Sequence, residues 1–386
     1  MARLVLPRHD RTLETYVADQ ASPFPATSAA ALPRTVYAAA HVVADPLQAG
    51  TLGGPHIDWD ATLAFRRHLW GLGFKVAEAM DTAQRGMGFG WAQARELIAR
   101  ALAEARHVPG ADLACGAGTD HLAPGEAKSL DDVIRAYETQ VEYVEVHGGR
   151  AILMASRALA ALARGPDDYF AVYGRVLSGC RSKVILHWLG DMFDPALQGY
   201  WGSLDVAAAM DSCLAIVCAH AGKIDGVKIS LLAADHEISM RRRLPAGVAM
   251  YTGDDFNYAE LMAGDALGHS HGLLGIFDPI APAAAAALAR LGAGDRVGYD
   301  AILAPTIPLS RRIFEAPTRY YKAGIVFMAW LNGFQSHFAM VGGMQSARGI
   351  LHYADVFRLA HEAGLLTDPD RSAERMRHLC ALHGIP

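Results

Sequence analysis

Lysine is scarce in this chain. Six lysines, at 75, 128, 183, 223, 228 and 322, stand against 29 arginines. Lysine is therefore not used as generic surface filler. Cysteine is scarce too, and residues 115, 180, 213, 218 and 380 form no CxxC pair and no zinc-ligand spacing. An odd count in a long chain fits a reducing cytoplasm; Cys213 and Cys218 fall in an apolar helical segment, where thiols pack as small hydrophobes. No run of about 18 uncharged apolar residues occurs, so no membrane span is predicted. Residues 1–16 carry charges through their first apolar patch and lack the h-region of a signal peptide. There is no excess of positive charge either. The net charge is −5, and Arg241-Arg242-Arg243 and Arg311-Arg312 are too short for a nucleic-acid stripe. No GxGxxG opens a helix; Gly86-x-Gly88-x-Gly90 has the wrong spacing, so no nucleotide cofactor is implied.

What is present is an apolar, globular composition, 52% hydrophobic and 19% charged. Short apolar runs bounded by turn residues predict strands over 35–43, 74–80, 112–115, 151–155, 183–189, 226–232, 247–252 and 272–276. Segments with helical spacing fall between them, at 59–72, 91–105, 130–147, 167–180, 204–221, 234–244 and 258–267, with Asp58 as a cap for the first. Eight strands alternating with helices predict a (β/α)8 TIM barrel. The alternative, a doubly wound open sheet, lacks its glycine fingerprint. The organisation expected is an N-terminal extension over 1–33, the barrel over 34–290 and C-terminal helices over 291–386. The extension holds a proline-rich turn at 22–25, then an alanine-rich run, and is read as a hairpin packing on the main domain. A glycine- and proline-rich loop follows at 45–56. The apolar run Ile325–Trp330 points either to a homo-oligomer interface or to core.

A TIM barrel carries its active site at the C-terminal ends of its strands. The polar residues there are His41, Asp81, Thr82, Thr119, Asp120, His121, Ser156, Arg157, His187, Asp191, Lys228, Asp254, Asp255 and Asp278, with Glu78 inside the second strand. Lys228 sits in the apolar run Gly226–Leu232. An amine there must snorkel out, pair with an acid or lose its charge, and a buried, deprotonated lysine is the nucleophile of Schiff-base chemistry. The structural alternative is a strand-edge lysine with a charge partner. His187 is read as an acid/base group or a satisfied core histidine. Arg157 suits a substrate carboxylate or phosphate, or else a salt bridge to Asp81 or Asp191. One of Asp254 and Asp255 is expected to cap the next helix, and Asp278-Pro279 is read as a site residue or a turn. His41, Glu78, His187 and Asp254 could form a metal set, although no spacing requires one. His269-x-His271 falls at the opposite end of the eighth strand.

Residues 222–290 resemble the dihydrodipicolinate synthase and N-acetylneuraminate lyase family of class I aldolases. The family's G-[IV]-K stands here as Gly226-Val227-Lys228, and its (S/T)GDD-like turn as Thr252-Gly253-Asp254-Asp255. A glycine-rich approach to the eighth strand follows at Gly268–Gly275, and the helices over 299–333 are also similar. The resemblance implies a TIM barrel in which Lys228 is the Schiff-base lysine. Two departures stand out. Met80-Asp81-Thr82-Ala83-Gln84 replaces the family's glycine–threonine turn, with only Thr82 matching. No tyrosine follows the fourth strand. The acid/base work is therefore assigned to His187, then Asp81. Thr82, Thr119, Asp120, His121, Arg157, Gly253, Asp254 and Asp278 are assigned to substrate binding. The reading is a metal- and cofactor-free lyase or aldolase, or a dehydratase, acting on a small carbonyl compound, hydroxylated or sugar-derived. It is expected to be a cytoplasmic homo-oligomer with neither nucleic-acid nor membrane partners. The alternatives are a metal-dependent barrel isomerase or hydrolase, and a non-catalytic ligand-binding barrel.

Overall fold

The structure, a computed structural model, describes residues 2–25, 31–48, 54–123 and 125–386. Most of the alanine-rich run, and the centre of the loop at 45–56, lie outside these residues.

Eight strands close a parallel barrel: β3 (Val36–Ala39), β4 (Lys75–Glu78), β5 (Leu113–Ala117), β6 (Arg150–Leu153), β7 (Val184–Leu189), β8 (Ile224–Ser230), β9 (Ala249–Thr252) and β10 (His271–Leu274). Each pairs with the next in sequence, and β10 pairs with β3. The predicted (β/α)8 barrel is therefore the fold. Several strands, β3 and β4 among them, are shorter than the apolar runs that announced them, because those runs continue into the loop beyond the last ladder bond.

The barrel interior is filled by side chains. Tyr37, Ala39, Ala77, Ala114, Ile152, Ile185, Tyr251 and Leu273 form one buried cluster. Small residues from β3 to β5 leave room for the rings of Tyr37 and Tyr251, which meet edge to face at 5.8 Å. Gly226 is part of this fit: a Cβ there would stand 2.5 Å from the Tyr251 ring. The ring tips reach charged residues at the N-terminal strand ends. Tyr251 donates to Asp225 at 2.7 Å, and Arg150 donates to the Tyr37 hydroxyl at 3.1 Å. His271, of the His269-x-His271 pair, accepts the backbone N–H of Thr35 at 3.1 Å.

The chain divides into two compact units. One, built from 34–40 and 75–274, contains all eight barrel strands. The other combines the segment up to Pro33 with 41–74 and 275–386. In this second unit β1 (Ala2–Pro7) and β2 (Leu13–Ala18) form an antiparallel hairpin. It packs on the helices Ile350–Glu362 and Pro369–Leu382, where Tyr16 bonds His361 at 2.9 Å and Arg358 grips Glu14 at 2.7 Å. The helix Tyr321–Leu331 is buried along its whole length. The run Ile325–Trp330 is thus core, which accounts for the apolar stripe without a second subunit. Two helices, Arg296–Leu303 and Thr306–Ile313, follow one another here. Pro305 stands at the break, where its ring and missing N–H interrupt the ladder. Among the described residues no single helix is long and apolar enough to cross a membrane.

Gly226→Ala forces a methyl group against the Tyr251 ring and is expected to cost about 1–3 kcal/mol, read as a lower urea midpoint. A second expectation concerns Glu237, on the helix Ala234–Arg241. Its buried carboxyl accepts from Ser270 at 2.6 Å, and burial pushes its pKa up to about 8 from 4.5. The folded state therefore holds a proton that the unfolded chain has released. This stabilisation is complete below pH 4.5 and is lost as the pH rises through about 8. Glu237→Gln should flatten that fall in a pH series of denaturant melts.

Candidate active site

The site begins with the pleat of β8. Side chains alternate across a strand, and Lys228 lies in register between His187 on β7 and Tyr251 on β9. Tyr251 points into the barrel, so Lys228 and His187 do too, one layer nearer the C-terminal ends. Ser230, two residues on, shares that face. Lys228 is only 8% exposed. Burial drives its amine below its ordinary pKa, while the carboxylates of Asp255 and, after it, Asp81 pull the other way. His187 is buried as well. Burial first, and the neighbouring amine second, hold it well below its usual value, so its ring is neutral. Its Nε2 lies 3.3 Å from Ser230 Oγ, and its Nδ1 has no hydrogen-bond partner.

Gly253 completes this corner. Its N–H donates to the Ile229 carbonyl at 2.8 Å, which draws the turn after β9 across β8. A Cβ at 253 would collide with Ser230 Oγ and stand 2.7 Å from Lys228 Cε. Only glycine lets the lysine lie there. The next two residues divide their work. Asp254 accepts from Phe256 N at 2.9 Å, Asn257 N at 3.0 Å and Asn257 Nδ2 at 2.8 Å, so it holds the turn. Asp255 is the larger of the two acidic influences on Lys228.

Asp81 and Thr82 lie on a 3-10 turn, Asp81–Ala83, just beyond β4, with Thr82 buried. The turn is introduced by Ala79 at φ 54°, a left-handed conformation that costs a residue with a Cβ about 1–2 kcal/mol. Glu78 sits on the opposite face of β4 from the inward-facing Ala77 and pairs with Cys115, so it does not face the barrel.

The residues after β5 are engaged with one another. Arg85 forms a two-pronged ion pair with Asp120, at 2.7 and 2.9 Å, and bonds Gln140 at 2.5 Å. Gln140 in turn bonds Asp120 at 2.9 Å and His121 at 2.8 Å. Thr119 Oγ1 lies 2.6 Å from Ser156 Oγ, and Ser156 caps the short helix Arg157–Leu162. Arg157 is paired with Asp194 at 2.5 Å, not with Asp81 or Asp191. A cavity of about 260 Å³ opens between these loops, lined by Gly86, Gly118, Thr119, Met154, Ala155 and Arg157 among others. Asp278 belongs to the other unit, where its Oδ2 accepts from His41 N at 2.8 Å and lies 2.7 Å from His41 Nδ1.

The structure thus gathers Lys228, His187, Gly253 and Asp81 around one amine. Thr119 and Arg157 line the cavity, Asp120 and His121 join Arg85, and Asp254 turns the chain. Sequence reasoning passed over Ser230, Arg85 and Gln140, and named Asp255 without assigning it to the site. The period-two pattern of β8 was signal enough for Ser230. For Arg85 no local signal exists. Among the described residues no three His, Cys, Asp or Glu side chains converge to hold a metal ion. His41, Glu78, His187 and Asp254 form no such group.

The family described as "Protein of unknown function (DUF993)" matches residues 4–385. No curated protein matches the chain by sequence. Among solved structures, it is similar to a putative dihydrodipicolinate synthetase from Pseudomonas aeruginosa, with 15% identity and a TM-score of 0.63, covering 86% of this chain and 99% of that one. It is also similar to YagE, a prophage protein of the dihydrodipicolinic acid synthase family from E. coli K12, solved with pyruvate. Here the identity is 13% and the TM-score 0.63, over 92% and 100% of the two chains. The chloride-inhibited dihydrodipicolinate synthase of Acinetobacter baumannii with pyruvate gives 13% and 0.60, over 86% and 99%. At these identities the likeness is one of fold.

Asp255→Asn removes the larger of the two charges that favour the protonated form of Lys228. The pH midpoint for labelling Lys228 with formaldehyde and cyanoborohydride, followed by peptide mass, is expected to fall. Asp81→Asn should lower it less.

Proposed function

The chain belongs to the DUF993 family, and from this, its barrel and the setting of Lys228 we propose that it is a Schiff-base-forming lyase or aldolase. The observation that carries the reading is a buried lysine with a depressed pKa, on the inner face of a barrel strand, beside a neutral histidine. Two of the similar solved structures are described as complexes with pyruvate, which favours a small oxo acid as the carbonyl partner.

The neutral amine of Lys228 attacks the carbonyl carbon, and the carbonyl oxygen takes up a proton from solvent to give a carbinolamine. His187, neutral and in register with Lys228, accepts the proton that the attacking nitrogen sheds. It returns that proton to the hydroxyl, which leaves as water, and an iminium remains. The iminium draws electrons from the adjacent carbon, so a C–C bond there can break or form, or a β-hydroxyl can depart. Asp81 is the second acid/base group. Thr119 and Arg157, facing the 260 Å³ cavity, bind the hydroxyl or carboxylate groups of a hydroxylated substrate.

Incubation with pyruvate and with sugar-derived ketones or aldehydes, followed by borohydride, should add the reduced carbonyl compound to the Lys228 peptide. Lys228→Arg should carry no adduct. His187→Asn should still form it, but about 10²–10⁴-fold more slowly. Folded wild-type protein that takes up no carbonyl compound across a broad pool would refute the proposal.

A further inference from the structure

Arg85 is a fully engaged cation that the proposed chemistry does not use. Its side chain is 1% exposed. Its two-pronged pair with Asp120 is only part of its role. Nη1 donates to two backbone carbonyls, Gly116 O at 2.8 Å and Ala79 O at 3.2 Å. The guanidinium also lies 5.1 Å from the Trp91 ring centroid. Asp120 is held from the other side by Gln140, whose Oε1 also accepts the N–H of Gly118 at 2.6 Å. Arg85 therefore ties the loop after β4 to the end of β5 at several points.

One of those points is unusual. Ala79 is the residue at φ 54°, and its carbonyl faces Gly116 so closely that a Cβ on Gly116 would stand 2.8 Å from it. The Ala79 carbonyl thus lies against the bare Cα of Gly116, and a single guanidinium nitrogen bonds the carbonyls of both residues. Without that donor two buried carbonyls would lose a hydrogen bond and the left-handed alanine would favour another backbone path. Asp81 follows Ala79 by two residues, on the turn that the reversal produces. The charged and titratable groups that act on Lys228 are His187 from β7, Asp255 from the turn after β9, and Asp81 from this turn.

We infer that Arg85 is a positioning residue for the lysine site: by holding the carbonyls of Ala79 and Gly116 together it fixes the reversal after β4 and so presents Asp81 to Lys228. A guanidinium suits this task because its planar fork serves Asp120 and the carbonyls at once. A lysine keeps the charge but cannot make the same set of bonds.

The test reads the proton affinity of Lys228 and needs no substrate, so its outcome is separate from that of the Schiff-base reading. The midpoint for labelling Lys228 with formaldehyde and cyanoborohydride is measured against pH in the intact protein. Arg85→Lys is expected to lower it by about the same amount as Asp81→Asn, because in both the Asp81 carboxylate is withdrawn. Glycine adopts φ 54° without help. Ala79→Gly alone should therefore leave the midpoint unchanged, and added to Arg85→Lys it should restore it. Should R85K not fold, D120N weakens the anchor of Arg85 and is read in the same way, with and without A79G. A folded R85K or D120N protein with the wild-type midpoint would overturn the inference. So would a lowered midpoint that A79G fails to restore.

Discussion

An amine kept out of water sets the terms for much of this barrel. Burying an ammonium costs several kcal/mol unless it is paired or gives up its proton. Lys228 stands between these outcomes, pushed toward neutrality by burial and back toward charge by Asp255 and Asp81. The surroundings follow from that balance. Residue 253 must lack a side chain for the amine to reach its place. His187 next to it rests neutral, its protonation disfavoured by burial and by the amine itself. The two acids come from different loops, so the state of the amine depends on how β4 and β9 end.

The polar groups of the barrel are divided between its two ends. At the N-terminal strand ends Tyr37, Tyr251, Arg150 and Asp225 satisfy one another and close the floor. At the other end Arg85, Asp120 and Gln140 knit two loops together. Around Lys228, by contrast, titratable groups are left in opposition. That contrast separates the site from charge pairs that merely hold the chain.

The barrel was legible because its cues are local: short apolar runs, turn residues and helical spacing in regular alternation. Lys228 and Gly253 were legible for the same reason, since a lysine inside an apolar strand and a glycine before two acids stand out in any window. What each loop residue does was not. Asp120 and His121 looked free for a substrate because their partners Arg85 and Gln140 lie 35 and 19 residues away. Arg157 finds Asp194 at a separation of 37. Asp254 and Asp255 are the same residue type side by side, and only the fold of the turn decides which holds the backbone and which acts on the amine. The run Ile325–Trp330 reads alike whether a second subunit or the chain itself covers it, and here the chain does.

The hairpin of β1 and β2 has a consequence for how the molecule assembles. A two-stranded hairpin is marginal alone in water. Its anchors are Arg358 and His361, and the tie from Tyr16 to His361 spans 345 residues. During synthesis the first strands leave the ribosome long before the helices that secure them. The barrel strands from β3 to β10 each pair with the next in sequence and close when β10 meets β3, whereas the hairpin must wait for still later helices. Its unit is therefore completed only once the C-terminal helices have been made.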